Sequence, residues 1–214
     1  MSYVKTNMPP PRNFKAVVFD YGGVIELSEG GHLLKDIAEA INIPIIDFKE
    51  EYFKHNHLSN VENLDWEDMI LKVVSVFDAS EETKNKVFTI INEYQSQRKI
   101  NVELVDMFPK LRQQGFKIAI FSNHTSKLRD KLKENGILDL VDEVVVSGEI
   151  GFQKPHKEAF DCLFEILKVQ PKEVVFIDDV EKSLEKAAEI GYTPILFKNN
   201  EQLITDLRDI GISL

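Results

Sequence analysis

Ala16-Val17-Val18-Phe19-Asp20-Tyr21-Gly22-Gly23-Val24 is the stretch that decides how this chain of 214 residues reads. Four apolar residues, β-branched or aromatic for the most part, predict a short buried strand. The strand ends on a carboxylate and then on two glycines, which suit a tight turn. Two further runs have the same form: Ile118-Ala119-Ile120-Phe121 leads into Ser122-Asn123-His124, and Val174-Val175-Phe176-Ile177 leads into Asp178-Asp179. Glu143–Val146 and Pro194–Phe197 are weaker strand candidates. Helical patterns lie between most of these: Asn101–Gln114, Ser126–Asn135, His156–Lys168, Glu181–Ile190 and Glu201–Ile210, three of them stopping at Gly115, Gly136 and Gly191. Strands alternating with helices predict an α/β fold, a Rossmann-like parallel sheet flanked by helices.

Residues 27 to 97 interrupt that alternation. They offer no convincing strand and read as helices over Leu33–Ile41, Asp47–His55, Trp66–Phe77 and Ser80–Tyr94, with Trp66, Ile70, Val73, Val74 and Phe77 at helical spacing. The expected organisation is a catalytic core of residues 14–26 and 98–214, an inserted all-helical cap of 27–97, and an extended lead-in of 1–13 containing Pro9-Pro10-Pro11.

The formal net charge is −10. A field of that sign repels nucleic acid and anionic lipid, so neither is an expected partner, and a small ligand or a cation is. An anionic substrate then needs local positive charge from a metal or a lysine. The single cysteine, Cys162, permits no internal disulfide, and its spacing from Ala159 and Ile166 reads as helical core. No run is long and apolar enough for a membrane span, and the first residues lack the apolar stretch of a signal peptide. The expectation is a cytoplasmic protein, monomer or homodimer.

In open α/β sheets, ligands sit at the carboxyl ends of the strands. Asp20, Ser122-Asn123, Asp178-Asp179 and the Lys154 of Gly151-Phe152-Gln153-Lys154-Pro155 would therefore meet in one crevice. Oxygen donors without nitrogen ligands favour a hard cation, Mg²⁺. A lysine and a hydroxyl can hold phosphate oxygens, and one carboxylate remains to attack phosphorus. Each residue also has a plainer reading. Asp20 could close a turn, Ser122 or the aspartate pair could cap a helix, and Lys154 could be a solvated surface lysine.

Taken in order, Phe19-Asp20-Tyr21-Gly22-Gly23-Val24, Phe121-Ser122-Asn123, Lys154-Pro155 and Phe176-Ile177-Asp178-Asp179 resemble the four motifs of the haloacid dehalogenase-like superfamily. The resemblance implies a Rossmann-like core with a small helical cap, and a Mg²⁺-dependent phosphatase acting on a small phosphorylated metabolite, a sugar phosphate by preference. It implies that Asp20 is the nucleophile and a metal ligand, joined at the metal by the Gly22 backbone carbonyl. Asp178 and Asp179 bind or orient the ion, Asp179 being the expected direct ligand. Ser122, Asn123 and Lys154 hold the phosphoryl group. The chain departs from the pattern at Gly22, where most phosphatases of the family carry a second aspartate that protonates the leaving oxygen. Some capped members resembling this chain also carry glycine there. Two rivals follow: a metal-independent dehalogenase, and a catalytically weak binding protein.

Other chemistry-bearing residues read more plainly. His55 and His57, two apart on a helix, do not face one another and lack a third ligand. His124 belongs at the site's rim, and Trp66 in the core of the cap. No Gly-x-Ser-x-Gly motif supports a serine hydrolase.

Overall fold

The computed structural model describes residues 13–28 and 33–214; the Pro9-Pro10-Pro11 segment lies outside the described residues. Among the described residues there are seven strands: β1 (Ala16–Phe19), β2 (Glu26–Ser28), β3 (Arg98–Ile100), β4 (Lys117–Ser122), β5 (Glu143–Val146), β6 (Val174–Asp178) and β7 (Thr193–Leu196). Five of them form a sheet in the order β5-β4-β1-β6-β7, parallel throughout. The fold is the expected α/β one.

The sheet's apolar runs are buried on both faces because helices cover both. Alternate residues divide between the two sides, as strand geometry requires. Val17, Phe19, Ile118, Ile120, Val175 and Ile177 pack on one side with Phe108 and Leu111, while Val18, Ala119, Phe121 and Phe176 pack on the other with Phe160 and Leu163 of helix Lys157–Leu167. Chain order sets the functional neighbours. β1 lies between β4 and β6, so whatever follows Phe19 is flanked by the ends of those two strands, each about 4.8 Å away.

Between β2 and β3 the described residues form four helices, α1 (Leu33–Ala40), α2 (Ile45–Asn60), α3 (Trp66–Ser75) and α4 (Glu81–Ser96). They bury a cluster of their own around Ile37, Phe48, Met69, Ile70, Val73, Val74, Val87 and Ile91. α2 runs further than the expected Asp47–His55 because its polar faces carry little periodicity.

Four expectations are corrected. β2 and β3 pair antiparallel, Glu26 with Ile100 and Ser28 with Arg98, forming a two-strand strap that the sequence did not suggest. Three-residue strands leave no periodic trace. The helix expected over Asn101–Gln114 breaks into Val102–Val105 and Phe108–Gln113. Pro109 has no N–H, and its ring opposes the carbonyl four residues back. Glu181–Ile190 likewise divides into Glu181–Leu184 and Ala187–Ile190. Cys162 is half-buried rather than core, and Ile166 on the same stripe is 37% exposed.

Candidate active site

Asp20 sits one residue beyond β1, and its backbone N–H donates to the Ile177 carbonyl at 2.8 Å, continuing the parallel ladder with β6. Asp178 is the last residue of β6 and Ser122 the last of β4. Sheet order alone thus places Asp20 between Ser122 and Asp178. The Ser122 side chain is buried beside the Asp20 carboxylate and favours its ionised form. One Asp20 oxygen, Oδ1, also accepts from the Tyr21 N–H at 2.7 Å.

Lys154 reaches the same point from the loop before helix Lys157–Leu167. It is 4% exposed, so the solvated-lysine reading is excluded. Its Nζ lies 2.6 Å from Asp178 Oδ2 and 3.0 Å from Asp20 Oδ1, with the Phe121 and Phe176 rings beneath it at 5.5 and 5.1 Å. The loop is held by Asn123, whose Oδ1 accepts from the Lys154 N–H at 2.8 Å and whose Nδ2 donates to the Lys154 carbonyl at 3.1 Å. Both ends of that amide are engaged with the backbone of Lys154. Asn123 therefore positions the lysine.

Asp178 is fully buried and both its oxygens have partners: Oδ2 takes Lys154, and Oδ1 accepts from the Val180 N–H at 2.8 Å. Asp179 is exposed and packs over Gly23, where any Cβ would run into its carboxylate. Gly23 has φ +74°, so this turn needs glycine twice over. Gly22 differs: its φ is ordinary, it faces the cavity, and nothing lies within 4 Å of where its Cβ would be.

Ligand atoms of Asp20, Asp178 and Asp179 fall within 4.8 Å of one another, the only such group of three among the described residues. One ammonium cannot neutralise three carboxylates. Burial, opposed by Lys154 and reinforced by Asp178, pushes Asp20 up to about 7. Although Asp179 is exposed as a residue, its carboxylate lies against the Gly23 turn, and desolvation there together with the neighbouring Asp178 pushes it up to about 6. Burial alone would lower Lys154, but the two aspartates outweigh it and hold the lysine charged. All-oxygen donors with surplus negative charge fit a hard divalent cation such as Mg²⁺.

A cavity of about 760 Å³ opens above Asp20, between the sheet and the four helices. The helical module meets the sheet domain on two sides of it. On one side is the β2–β3 strap, with Glu26 paired to Arg98 and accepting from the Tyr21 hydroxyl at 3.0 Å. On the other is the α2–α3 loop. There Asn63 donates from Nδ2 to the Gly148 carbonyl at 2.6 Å and accepts at Oδ1 from the Ser126 N–H at 2.8 Å. A Cβ at Gly148 would collide with the Asn63 amide. Asn60 adds a bond to Gln153 at 2.9 Å, and Asp65 an ion pair with Lys127 at 2.5 Å.

His124 lines the cavity, and its Nδ1 lies 3.0 Å from the Thr125 carbonyl. Burial lowers its pKa, so the ring is neutral at pH 7, with the Nδ1 proton on the carbonyl and Nε2 bare. His55 and His57 direct Nδ1 at the carbonyls of Glu51 and Lys54. Trp66 packs against the module's own core, as expected, but it also lines the cavity. Sequence reasoning did not find Tyr52, Tyr94, Arg98 or the Asn63–Gly148 contact. Arg98 and Glu26 flank the helical insertion, and that was the one available signal.

A profile of the haloacid dehalogenase-like hydrolases matches residues 34–197. The chain belongs to this family. A putative uncharacterized hydrolase of Schizosaccharomyces pombe is 25% identical over 86% of this chain and 92% of its own length. Ribulose-1,5-bisphosphate 5-phosphatase of Halopiger xanaduensis is 34% identical over 44% of this chain and 40% of that protein. Bifunctional epoxide hydrolase 2 of Sus scrofa is 26% identical over 58% of this chain, a match that spans only 24% of that larger protein. Among solved structures, a HAD family enzyme of Bacteroides thetaiotaomicron covers 92% of this chain and 99% of its own, at 18% identity and a TM-score of 0.66. The haloacid dehalogenase-like fold is thus shared along nearly the whole chain, and no helix among the described residues is long and apolar enough to cross a membrane.

Proposed function

We propose that this haloacid dehalogenase-like hydrolase is a Mg²⁺-dependent phosphatase of small phosphorylated metabolites, working through phospho-Asp20. The observation that carries the reading is the position of Asp20: flanked by Ser122 and Lys154, grouped with two further carboxylates, and facing a cavity large enough for a metabolite. In the first step an Asp20 carboxylate oxygen attacks phosphorus. The new O–P bond forms as the bond to the substrate's bridging oxygen breaks, and the leaving oxygen departs as an oxyanion that takes its proton from water. In the second, water attacks the same phosphorus, inorganic phosphate leaves and the Asp20 carboxylate is restored.

Lys154 and Ser122 hold the phosphoryl oxygens by charge-assisted and neutral hydrogen bonds. Asn123 serves both by fixing the Lys154 backbone. Asp20, the Gly22 carbonyl and Asp179 would hold Mg²⁺, with Asp178 committed to Lys154 and Val180; the bound cation supplies positive charge to the phosphoryl group. The four helices act as the cap over residues 27–97. Neutral His124 is suited to accept a proton, and the buried Tyr21 hydroxyl is engaged by Glu26, so neither replaces the acid missing at Gly22. A soluble cytoplasmic monomer or homodimer fits this role.

Steady-state hydrolysis of acetyl phosphate and p-nitrophenyl phosphate, with Mg²⁺ and with EDTA, tests the reading. Wild-type turnover that EDTA removes, and that Asp20→Asn abolishes while its melting curve is retained, supports it. Turnover surviving either change would refute it.

A further inference from the structure

The cavity above Asp20 is built for something larger and flatter than its phosphate pole requires. Three of the four helices each contribute an aromatic side chain to its wall: Tyr52 from α2, Trp66 from α3 and Tyr94 from α4. Several of the polar groups beside these rings are engaged with one another. The Trp66 indole lies near the Tyr52 hydroxyl. Gln95 donates to Glu67, Lys127 pairs with Asp65, and Arg98 pairs with Glu26. The wall offers a ligand ring surface, extended by Leu33, Leu34 and Ile45, with Lys49 and Lys131 also on the cavity lining.

Hydroxyls set against the three rings and against Leu33, Leu34 and Ile45 would lose water there without replacement bonds. A two- or three-carbon phosphate would leave most of 760 Å³ filled with water, since that volume is in the upper part of the range for drug-sized ligands. A planar ring meets neither difficulty. It can stack on or set its edge against Trp66, Tyr52 or Tyr94, and stacking needs no vacant hydrogen-bond partner.

We infer that the substrate is a phosphomonoester whose leaving group carries a planar ring system, seated against the Tyr52–Trp66–Tyr94 wall. This rests on the phosphatase reading of Asp20 and narrows the sugar-phosphate expectation to a compound bearing such a ring.

Ribose 5-phosphate and adenosine 5′-monophosphate share one primary leaving oxygen and differ by the ring, so comparing them cancels leaving-group chemistry. Benzyl phosphate and ethyl phosphate make a second, smaller pair. The expected result is a kcat/KM at least about tenfold higher for a ring-bearing member, in line with the usual worth of stacking. Trp66→Leu should shrink that ratio towards one, whatever uniform change it makes to turnover of both members of a pair. A ratio near one in both pairs, or one that Trp66→Leu leaves unchanged, overturns the inference. Acetyl phosphate is too small to reach the wall, so its turnover reports on Asp20 alone and separates failure of the phosphatase reading from failure of this one. Binding gives a readout independent of turnover and of the Trp66→Leu variant's folding. Trp66 is the single tryptophan of the chain. In Asp20→Asn protein, quenching of its fluorescence by adenosine 5′-monophosphate or benzyl phosphate, and not by ribose 5-phosphate, supports ring contact. No quenching at saturating millimolar concentrations of either ring-bearing probe overturns it.

Discussion

Lys154→Met removes the ammonium from between two buried carboxylates and keeps a side chain of similar length in a flexible, apolar form. The change therefore opens little cavity, and the loss is mainly electrostatic. Lys154 lies 2.6 Å from Asp178 and 3.0 Å from Asp20, and Asp178 has no exposure through which water could replace the lysine. Removing one partner of a buried pair costs about 3–5 kcal/mol. Protonation sets a ceiling, because a stranded aspartate can take up a proton. At pH 7 that costs about 1.4 kcal/mol for each of the roughly three pH units above its ordinary value, or about 4 kcal/mol. At pH 5 the same sum gives about 1.5 kcal/mol. The penalty of Lys154→Met must therefore fall as pH falls. In a chain of this size, about 4 kcal/mol corresponds to a Tm loss of roughly 8–16 °C. Thermal and urea melts of wild type and variant in EDTA, at pH 5, 6 and 7, give the number. Lys154→Met/Asp178→Asn should recover most of it, since the amide oxygen can still accept from the Val180 N–H. A penalty that is independent of pH, or larger at pH 5 than at pH 7, would refute the charge triad.

Further outcomes follow from the same geometry. Asp20 and Asp179 have folded pKa values raised above the usual 3.8, to about 7 and about 6, so the metal-free fold holds protons that a cation must displace. The gain in Tm from millimolar Mg²⁺ should therefore grow between pH 5 and pH 8, with proton release measurable by calorimetry in buffers of different ionisation enthalpy, and Asp179→Asn should reduce it; a gain that is flat or falls with pH contradicts the assignment. Gly22 has an ordinary φ and open space for a side chain, so Gly22→Asp should fold, and it should raise single-turnover rates on alkyl phosphates relative to aryl phosphates by about 10² or more if general acid assistance is what the wild type lacks; an unchanged alkyl-to-aryl ratio counts against that account. Asn63→Ala removes both bonds to Ser126 and Gly148 at the edge of the cavity. It should raise KM several-fold and speed exchange of the Ser126 amide, at a stability cost of only about 1–2 kcal/mol; unchanged Ser126 exchange would argue against a docking role.

Much of the site was legible because it follows from strand ends. β1, β4 and β6 each read as an apolar run stopping at a polar residue, and in a parallel sheet those stops gather at one edge. Sheet order then makes Asp20, Ser122 and Asp178 neighbours. Contacts made by loops were less visible. Asn123 reads as part of a phosphate motif, yet its amide clamps the backbone of Lys154, 31 residues away. Three-residue β2 and β3 carry no period that a sequence could display. The aromatic wall depends on how α2, α3 and α4 cross, so Trp66 read only as core while Tyr52 and Tyr94 did not stand out. The helix break before Pro109 had its signal in the proline itself. Gly22 and Gly23 look alike in sequence, and only backbone geometry separates an open position from one closed by Asp179.

The central claim is that phosphate passes through Asp20. Wild-type protein mixed with excess acetyl phosphate and Mg²⁺, quenched in acid during turnover and digested, can be read by mass spectrometry for a phosphorylated peptide. Borohydride reduction then converts an aspartyl phosphate to homoserine and marks the residue. The account predicts phosphate, and after reduction homoserine, at position 20 alone, and neither in Asp20→Asn. Continued turnover with phosphate on another residue, or with none trapped at Asp20 when breakdown of the intermediate is rate-limiting, would contradict it.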